Sequence, residues 1–376
     1  MKVLVMGGTQ FNGLALVREL VRTGHDVTIL NRGKSPGTVP HGVRRLVADR
    51  TDLASMRAAL GSVDYDVVHD VTAYRPEDVA FMLEHFRGRT GHYVFVSSTV
   101  IYAASQLLPI HEDAAVDRSP RQNEYGRNKL LCEDLLVRAH REHGFPATTV
   151  CLSMVFGPHN ILPDREQRMF VRLLTGRPIL IPGDGTTIAQ IGYVEDQARA
   201  LRMLMAKPAT FGRRYNLTGA DFFTAEGYVD TFARVVGVEP NKVFVPAPLM
   251  DDLFDGRVEA KPVQVKSKVD IRSTERPDAL ERNRFLLSML VQRIAPHIHR
   301  WNQNVIFGVE RLRHDVGFEP EVRFPGAVAQ TYEWFRAERV AEKQSFDFSF
   351  EDEILRLVQA ARSAARSEPS ASGGTR

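Results

Sequence analysis

The stretch MGGTQFNG, residues 6–13, decides how the first part of this chain folds. It follows the apolar run KVLVM, which is typical of a buried strand, and it leads into FNGLALVRELVRTGH, whose apolar residues recur with helical spacing. A glycine-rich turn between a strand and a helix is the setting in which backbone amides bind a pyrophosphate. Gln10 stands where a middle glycine is expected, so the motif alone leaves open whether the loop still binds a dinucleotide.

Strand and helix patterns alternate after this turn. DVTILN, VRRLV, YDVVHD and HYVFVSS are typical of buried strands, and helical segments such as DLASMRAAL and EDVAFMLEHF lie between them. This alternation predicts an α/β fold, a Rossmann-type doubly wound parallel sheet. We expect a dinucleotide-binding domain over residues 1–158, with some later segments returning to it. A smaller mixed C-terminal substrate domain is predicted over 159–345, and a disordered tail over 360–376.

The composition narrows the class of protein. The chain of 376 residues is 43% hydrophobic and 25% charged, as in an ordinary globular protein, and its net charge of +3 argues against a dedicated nucleic-acid binder. Its two cysteines form neither a disulfide framework nor a metal-binding pair, which favours a reducing compartment and no metal site. Apolar runs long enough for a membrane span are absent from the sequence. We therefore predict a cytoplasmic protein with no membrane partner.

Tyr125 and Lys129 form the motif with the clearest chemistry. They are one helical turn apart, so both side chains lie on one helix face. An ammonium beside a phenol favours the phenolate, and such a tyrosine can take a proton from a substrate hydroxyl. The preceding strand, FVSSTVIY, carries Ser97, Ser98 and Thr99 to the C-terminal edge of the sheet, where open α/β sheets bind ligands.

Several motifs occur in a familiar order: GGTQFNG, ADRTD, VVHDVTAY, FVSSTVIY, YGRNK, VFGP, IPGDGTT, YVED and YNLTG. Together they resemble the extended short-chain dehydrogenase/reductases, in an atypical branch of the NAD-dependent epimerase/dehydratase family. The resemblance covers most of the first 340 residues. It implies that Ser98 holds the substrate hydroxyl, Tyr125 is the acid/base and Lys129 binds the nicotinamide ribose.

The resemblance also implies one tightly bound nicotinamide dinucleotide, NAD or NADP. The residues that it places at this cofactor are Gly7, Thr9, Gln10, Phe11, Gly13, Asn31, Arg32, Asp49, Arg50, Val71, Thr72, Ala73 and Lys129. Asn31 and Arg32 end the second strand where NAD-binding relatives commonly carry an acid. Arg32 could pair with a 2′-phosphate, which favours NADP, whereas a redox-neutral reaction favours NAD. Both choices stay open.

The substrate expectation comes from residues that differ from the family pattern. Cys151 and Leu152 replace an Arg-Pro pair, and Ala189 replaces an arginine that binds sugar-nucleotide phosphate. Loss of this arginine favours a sugar, nucleoside or glycoside over a sugar diphosphate. The alternative is that Arg284 or Arg293 supplies the missing charge. The candidate substrate residues are Tyr74, Thr99, Tyr102, His159 and Gln190.

Three functions remain open from the sequence. The first is a redox-neutral epimerase or dehydratase that oxidises a sugar-containing substrate and then re-reduces it. Its middle step needs a further base, for which the candidates are Asp70, Tyr74, Tyr102, Glu112 and His159. The second is an NADPH-dependent carbonyl or sugar reductase. The third is an RNA-binding or non-catalytic member, based on a mild basic excess over residues 256–315. A small-molecule substrate is the expected partner; nucleic acid is disfavoured, and a homodimer is possible.

Overall fold

A computed structural model describes residues 1–35, 37–162, 164–255, 257 and 301–367. Seven of the strands in these ranges form one sheet in the order β11-β6-β5-β4-β1-β2-β3, in which every neighbouring pair is parallel. The strands are β1 (Lys2–Met6), β2 (Asp26–Asn31), β3 (Arg44–Val47), β4 (Tyr65–Asp70), β5 (Thr90–Ser98), β6 (Ala147–Leu152), β7 (Val155–Phe156), β8 (Ile179–Pro182), β9 (Ile188–Gln190), β10 (Gly192–Tyr193), β11 (Arg214–Leu217), β12 (Phe222–Thr224) and β13 (Lys242–Val245). The predicted Rossmann-type parallel sheet is confirmed.

Helices connect these parallel strands. The described α-helices are α1 (Phe11–Arg22), α2 (Leu53–Leu60), α3 (Pro76–Phe86), α4 (Glu124–His143), α5 (Glu166–Leu174), α6 (Val194–Met203), α7 (Ala225–Val236), α8 (Ala247–Phe254), α9 (Glu310–Val316), α10 (Phe324–Ala337), α11 (Val340–Lys343) and α12 (Ser349–Ser367). Short 3-10 helices cover Thr99–Ile101 and Pro208–Thr210. Within the ranges given above, none of the helices is both long and apolar enough to cross a membrane.

Apolar residues are buried on both faces of the sheet. Leu4 and Met6 of β1 belong to a cluster shared with residues of α2, α3 and α4. Because side chains alternate along a strand, Val3 and Val5 point to the opposite face, and both are fully buried. Helices α1 and α6 pack against each other. This two-faced burial is the reason that the strand segments are almost continuously apolar.

Strand β3 differs from the prediction of a buried strand for VRRLV. It pairs only with β2 at the edge of the sheet, and Arg44 and Arg45 are exposed. An edge strand has only one neighbour, so it tolerates the charged side chains that a central strand excludes.

The chain divides into two compact units. The first comprises Met1–Ile161, Gln190–Phe222 and Val305–Trp334. The second comprises Leu162–Ala189, Phe223–Asn304 and Phe335–Arg376. The first unit therefore contains the whole seven-stranded sheet together with two segments from later in the sequence.

The second unit is held together by apolar and ionic contacts of helix α12. Its apolar cluster consists of Leu180, Val245, Met250, Leu253, Phe350, Ile354 and Val358. Beside it, Glu351 is 2% exposed and binds two buried arginines of α5. The Nε atom of Arg168 donates to Glu351 Oε1 at 2.6 Å, and Arg172 binds the same oxygen.

Helix α12 continues to Ser367, where we had predicted a disordered tail from residue 360. Ile354 and Val358 are buried at helical spacing in the preceding turns, and residues 360–363 continue the same helix with exposed side chains. The tail that we predicted beyond it, residues 368–376, lies outside the described residues.

Candidate active site

The glycine loop after β1 has the backbone that the motif predicts. Gly7 and Gly8 adopt φ values of +110° and +92°, which residues with a side chain rarely adopt. A Cβ atom on Gly13 would lie 2.7 Å from the backbone nitrogen of Gly8, so helix α1 approaches the loop too closely for any other residue. The loop and the start of α1 thus form the close-packed turn that a pyrophosphate-binding strand–turn–helix unit requires.

Gln10 fits this loop without strain. Its φ of −142° and ψ of 148° are those of extended backbone, which any residue adopts. The middle position therefore does not need a glycine for conformational reasons. Thr9 and Phe11 on either side of Gln10 are buried.

Lys129 is the most tightly held of the predicted catalytic residues. Its side chain is 2% exposed, and its Nζ atom donates to Ala73 O at 2.8 Å and to Val96 O at 2.7 Å. The carbonyl groups belong to the β4–α3 loop and to β5, so the lysine links both to helix α4. Burial lowers the pKa of Lys129 below its usual value, although the neighbouring Tyr74 opposes this shift.

Aromatic rings surround the ammonium group. Its Nζ atom lies 4.8 Å from the ring centroid of Phe95, 5.1 Å from that of Tyr74 and 5.6 Å from that of Tyr125. The rings of Tyr74 and Tyr125 are 6.3 Å apart. Cations are stabilised over ring faces at such distances. The structure thus brings Tyr125 and Lys129 together as predicted, and it adds Tyr74, which is 45% exposed.

Local structure explains where Tyr125 lies. Asn123 caps helix α4, because its side-chain oxygen accepts a hydrogen bond from Gly126 N at 2.8 Å. Tyr125 is therefore in the first turn of the helix. Ser98 ends β5, where its Oγ atom accepts a hydrogen bond from Val100 N at 3.4 Å. Val96, whose carbonyl binds Lys129, precedes Ser98 by two residues on the same strand.

The predicted cofactor residues Val71, Thr72 and Ala73 lie against the glycine loop and the lysine. A Cβ atom on Gly7 would lie 2.8 Å from Thr72 Cγ2 and 3.0 Å from Val71 Cγ2. The Thr72 hydroxyl donates to Met6 O at 3.2 Å, and Ala73 O accepts from Lys129. This segment therefore joins the end of β1 to Lys129.

The adenosine-side candidates lie at the ends of β2 and β3. Asn31 Oδ1 accepts from Gly33 N at 2.8 Å, and Arg32 is exposed. Asp49 Oδ1 accepts from the backbone and hydroxyl of Thr51. These two hydrogen bonds lower the pKa of Asp49, and the charges of Arg32 and Lys34 contribute less.

Tyr102 and Gln190 of the predicted substrate set form hydrogen bonds that favour structural roles, whereas the Thr99 hydroxyl is buried without a hydrogen-bond partner in the described part of the protein. The Tyr102 hydroxyl donates to Asn216 Oδ1 at 2.7 Å. Gln190 donates through Nε2 to Gly219 O at 2.6 Å and accepts from Phe307 N at 2.9 Å. Thr99 is 4% exposed.

The structure also places the candidate bases in different surroundings. Asp70 is fully buried and bound by Arg50 and by the Tyr93 hydroxyl, and Glu112 is 3% exposed and accepts from Asn216 N. His159 packs 5.3 Å from the Trp334 ring. Tyr74 is the candidate that contacts both Lys129 and Tyr125.

Arg50, Asp70 and Asp78 form an ionic group that the sequence did not reveal. Arg50 is predicted to contact the cofactor, and in the structure its guanidinium binds Asp70, the Thr72 hydroxyl and Asp78. The sequence Arg75-Pro-Glu-Asp78 is typical of the start of a helix. It does not reveal that Asp78 pairs with Arg50, which lies 28 residues earlier. The alternative phosphate ligands Arg284 and Arg293, and most of the basic stretch 256–315, lie outside the described residues.

The sequence predicts neither a disulfide framework nor a metal site. Cys132 and Cys151 are both free and buried. No group of three or more metal-ligating side chains occurs among the residues that the structure describes.

Comparison with protein families identifies the chain. The family model described as "NAD dependent epimerase/dehydratase family" matches residues 3–218, more than half of the sequence. The chain belongs to this family. The predicted family and the predicted enzyme class, NAD(P)-dependent epimerase/dehydratase, are therefore confirmed.

The relatives of this chain have names that state different functions. The Arabidopsis thaliana "Chloroplast stem-loop binding protein of 41 kDa b" is 27% identical over 94% of this chain and 84% of its own length. The Streptomyces kanamyceticus "2'-dehydrokanamycin reductase" is 26% identical over 66% of this chain and 70% of its own length. Among solved structures, UDP-glucuronic acid 4-epimerase from Bacillus cereus in complex with NAD has a TM-score of 0.63 at 16% identity and covers 89% of this chain and 97% of that one. The structural likeness shows the shared fold.

Proposed function

We propose that this family member oxidises a secondary alcohol of a sugar-containing substrate with a bound nicotinamide dinucleotide, epimerises or dehydrates the resulting ketone, and then reduces it. The observation that carries the proposal is the placement of the Lys129 ammonium beside the Tyr125 ring, with hydrogen bonds to the loop after β4 and to β5. These elements end at the edge of the sheet where open α/β folds bind ligands.

The residues around this edge fit a dinucleotide. The turn at Gly7 and Gly8 requires glycines, and Gly13 lets helix α1 approach the loop closely, so that a pyrophosphate can approach the N-terminus of α1. Gly7, Gly13, Val71 and Thr72 would hold the cofactor near its pyrophosphate. When bound, the nicotinamide supplies hydride acceptance and return.

In this proposal the protein's own residues move the proton. Tyr125 takes the proton of the substrate hydroxyl while the carbon that bears this hydroxyl loses a hydride. In the reverse step Tyr125 returns the proton. Lys129 stabilises the phenolate through its charge. Ser98, at the end of β5, holds the same hydroxyl.

The middle step needs a second group that moves a proton next to the ketone. Tyr74 is the candidate that lies against Lys129 and Tyr125 and remains 45% exposed. Asp70 and Glu112 are buried and hydrogen-bonded within the protein, which argues against their exchanging protons with a substrate. We therefore propose Tyr74 as the group that moves the proton next to the ketone.

We further propose that the substrate is a sugar, nucleoside or glycoside without a diphosphate. Ala189 is 2% exposed and supplies no charge where relatives have arginine, and the Cys151 thiol donates to the buried Glu133 carboxylate instead of facing a ligand. A buried diphosphate without a cationic partner is costly. The name of the 2'-dehydrokanamycin reductase is consistent with a substrate outside the nucleotide sugars.

Calorimetric titration tests the substrate class. NAD⁺-loaded protein is titrated with UDP-glucose and dTDP-glucose, and in parallel with uridine, thymidine and methyl glucoside. We expect heat of binding from an uncharged compound alone. Micromolar binding of a sugar diphosphate that is lost in Arg284→Ala or Arg293→Ala would contradict the proposal.

The choice between NAD and NADP is tested on Arg32. Its exposed guanidinium at the end of β2 can pair with a 2′-phosphate, which would suit a reductase. Titration with NADP⁺ and NAD⁺ should show that Arg32→Ala weakens only NADP⁺ binding if the enzyme prefers NADP. Mass spectrometry of the cofactor released from purified protein gives an independent answer: NAD⁺ supports the redox-neutral route, and NADPH supports the reductase.

RNA binding is a second candidate function, favoured by the similarity to the chloroplast stem-loop binding protein along 94% of the chain. Filter binding with a labelled RNA stem-loop tests it. Sub-micromolar binding that competes with NAD⁺ would favour this function, whereas binding that is weak and lost at moderate salt indicates general charge attraction.

A further inference from the structure

The loop between β4 and α3 is held at both ends by one arginine. At its start, Arg50 Nη1 donates to Asp70 Oδ1 at 2.8 Å and to Thr72 Oγ1 at 3.0 Å. At its end, Arg50 Nε forms an ion pair with Asp78 Oδ1 at 3.3 Å. Arg50 itself precedes α2 and is 14% exposed at its side chain. A single guanidinium thus fixes both ends of the segment 70–78.

The second carboxylate oxygen of Asp78 fixes the middle of the loop. Asp78 Oδ2 accepts hydrogen bonds from Tyr74 N at 2.9 Å and from Arg75 N at 3.1 Å. Arg50 therefore orients a carboxylate that in turn orients the backbone of Tyr74. The two hydrogen bonds from the Tyr74 and Arg75 amides to this carboxylate are charge-assisted, and such bonds are among the stronger ones in proteins.

The catalytic groups meet this loop between its two fixed ends. Ala73 O accepts from Lys129 Nζ at 2.8 Å, and the Tyr74 ring lies 5.1 Å from the same atom. The positions of both groups follow from the backbone that Arg50 holds. The ionic groups also balance, because Arg50 and Lys129 contribute two positive charges against the carboxylates of Asp70 and Asp78.

We propose that Arg50 is a positioning residue that sets the placement of Lys129 and Tyr74 through the loop 70–78, rather than a residue that binds the cofactor itself. This inference rests on the proposed role of Lys129 at the nicotinamide ribose. Its physical basis is that the guanidinium binds Asp70, Thr72 and Asp78, and that these contacts converge on the segment that contacts the lysine. Replacing the guanidinium should loosen this segment before it loosens the sheet.

Hydrogen exchange measures this loosening without any substrate. The variants are Arg50→Met and Asp78→Asn; the second retains an oxygen that can accept from the Tyr74 and Arg75 amides while it removes the charge that Arg50 binds. Arg57→Met is a matched control, because Arg57 pairs with Glu84 between the neighbouring helices α2 and α3 on the exposed surface. We expect the amides of Tyr74 and Arg75 to exchange about tenfold faster in both test variants. Central β4 amides should be unchanged in Asp78→Asn and should accelerate less than the loop in Arg50→Met, which also leaves the buried Asp70 without its cation.

Titration with NAD⁺ then links the loop to the cofactor. In Arg50→Met and Asp78→Asn we expect the affinity for NAD⁺ to fall by about tenfold, because Lys129 loses its fixed hydrogen-bond partner. Arg57→Met should change neither exchange nor affinity. Arg50→Lys, which keeps the charge but not the fork of donors, should recover part of both effects.

Three results would overturn the positioning role. These are unchanged exchange at Tyr74 and Arg75, equal acceleration in the loop and in central β4, or faster loop exchange with unaltered NAD⁺ affinity. The second result would mean that Arg50 contributes only to global stability. A wild-type protein that binds neither NAD⁺ nor NADP⁺ would refute the proposed function, and with it this role, whatever the variants show.

Discussion

The Nζ atom of Lys129 lies 5.6 Å from the centroid of the Tyr125 ring, one helical turn away on α4. The lysine is almost fully buried, so its charge acts on the phenol through a medium that screens it poorly. Both carbonyl partners of Lys129 belong to neighbouring segments of the sheet edge, and the ammonium therefore cannot move away without breaking two hydrogen bonds.

Removal of the Tyr125 hydroxyl should slow the reaction without preventing cofactor binding. Tyr125→Phe keeps the ring beside Lys129 but removes the proton carrier, and we expect a rate loss of about a hundredfold or more. Once a substrate is known from calorimetry, the absorbance of the reduced nicotinamide measures the rate. Tyr215→Phe is the control, because its hydroxyl donates to Asp315 in the first unit and has no proposed part in proton transfer. Full activity in Tyr125→Phe would exclude the assignment.

A side chain at Gly13 should abolish cofactor binding. In Gly13→Val the new Cβ atom would meet Gly8 N at 2.7 Å, and the helix must then move away from the loop. Titration with NAD⁺ measures the loss. Gly326→Ala serves as the control, since its Cβ atom would make an ordinary 3.7 Å contact with Val322. Normal NAD⁺ affinity in Gly13→Val would show that the loop does not bind the pyrophosphate.

The buried His69 should make the protein less stable in acid. Burial lowers the pKa of His69 to about 3, whereas the unfolded chain has the usual value near 6.5. Below pH 6.5 the unfolded state therefore binds a proton that the folded state does not, and stability is lost as the pH falls towards 3. Between pH 7 and pH 5 this loss is about 2 kcal/mol.

The variant His69→Leu tests this contribution. Neither ring nitrogen of His69 has a hydrogen-bond partner in the described part of the protein, so leucine removes the titration without orphaning another group. Urea unfolding at pH 7 and pH 5 should show a pH-dependent loss that is smaller by about 2 kcal/mol in the variant. An identical loss in both proteins would show that His69 does not titrate as described.

Glu351 should contribute far more stability than its neighbour Glu353. Glu351→Gln removes the carboxylate that binds the buried Arg168 and Arg172, although Arg168 keeps a longer 3.5 Å pair with Asp164, and we expect a loss of about 3–5 kcal/mol in the free energy of unfolding. Glu353→Gln removes an exposed pair with Arg356 on the same helix and should cost about 0.5 kcal/mol. Urea unfolding of both variants makes the comparison. Equal stability of the two would contradict the buried ionic group.

Local patterns were enough to predict the elements that surround the glycine loop. The apolar run before Gly7 and the spacing of Tyr125 and Lys129 are properties of neighbouring residues, and the structure has both as expected. Burial of β3 was predicted wrongly, because its sequence does not reveal that it lies at the edge of the sheet.

Contacts between distant residues could not be predicted in this way. Arg50 lies in a motif whose family resemblance predicts a cofactor contact, and that motif does not reveal its partners Asp70 and Asp78, which are 20 and more residues away. Gln190 has the polarity of a substrate ligand, and only the fold reveals that Gly219 and Phe307 bind its amide. A polar residue whose hydrogen bonds are made by backbone groups far away in the sequence cannot be recognised from one sequence alone.

The pairing of Arg168 with Glu351 has a consequence during synthesis of the chain. The two residues are 183 positions apart, so a ribosome adding five to twenty residues per second needs roughly ten to forty seconds to pass from one to the other. Throughout that interval the two guanidinium groups of helix α5 lack the carboxylate that binds them in the folded protein. Nascent-chain chaperones therefore have a defined window in which to bind α5, and it closes only when the carboxylate has left the exit tunnel.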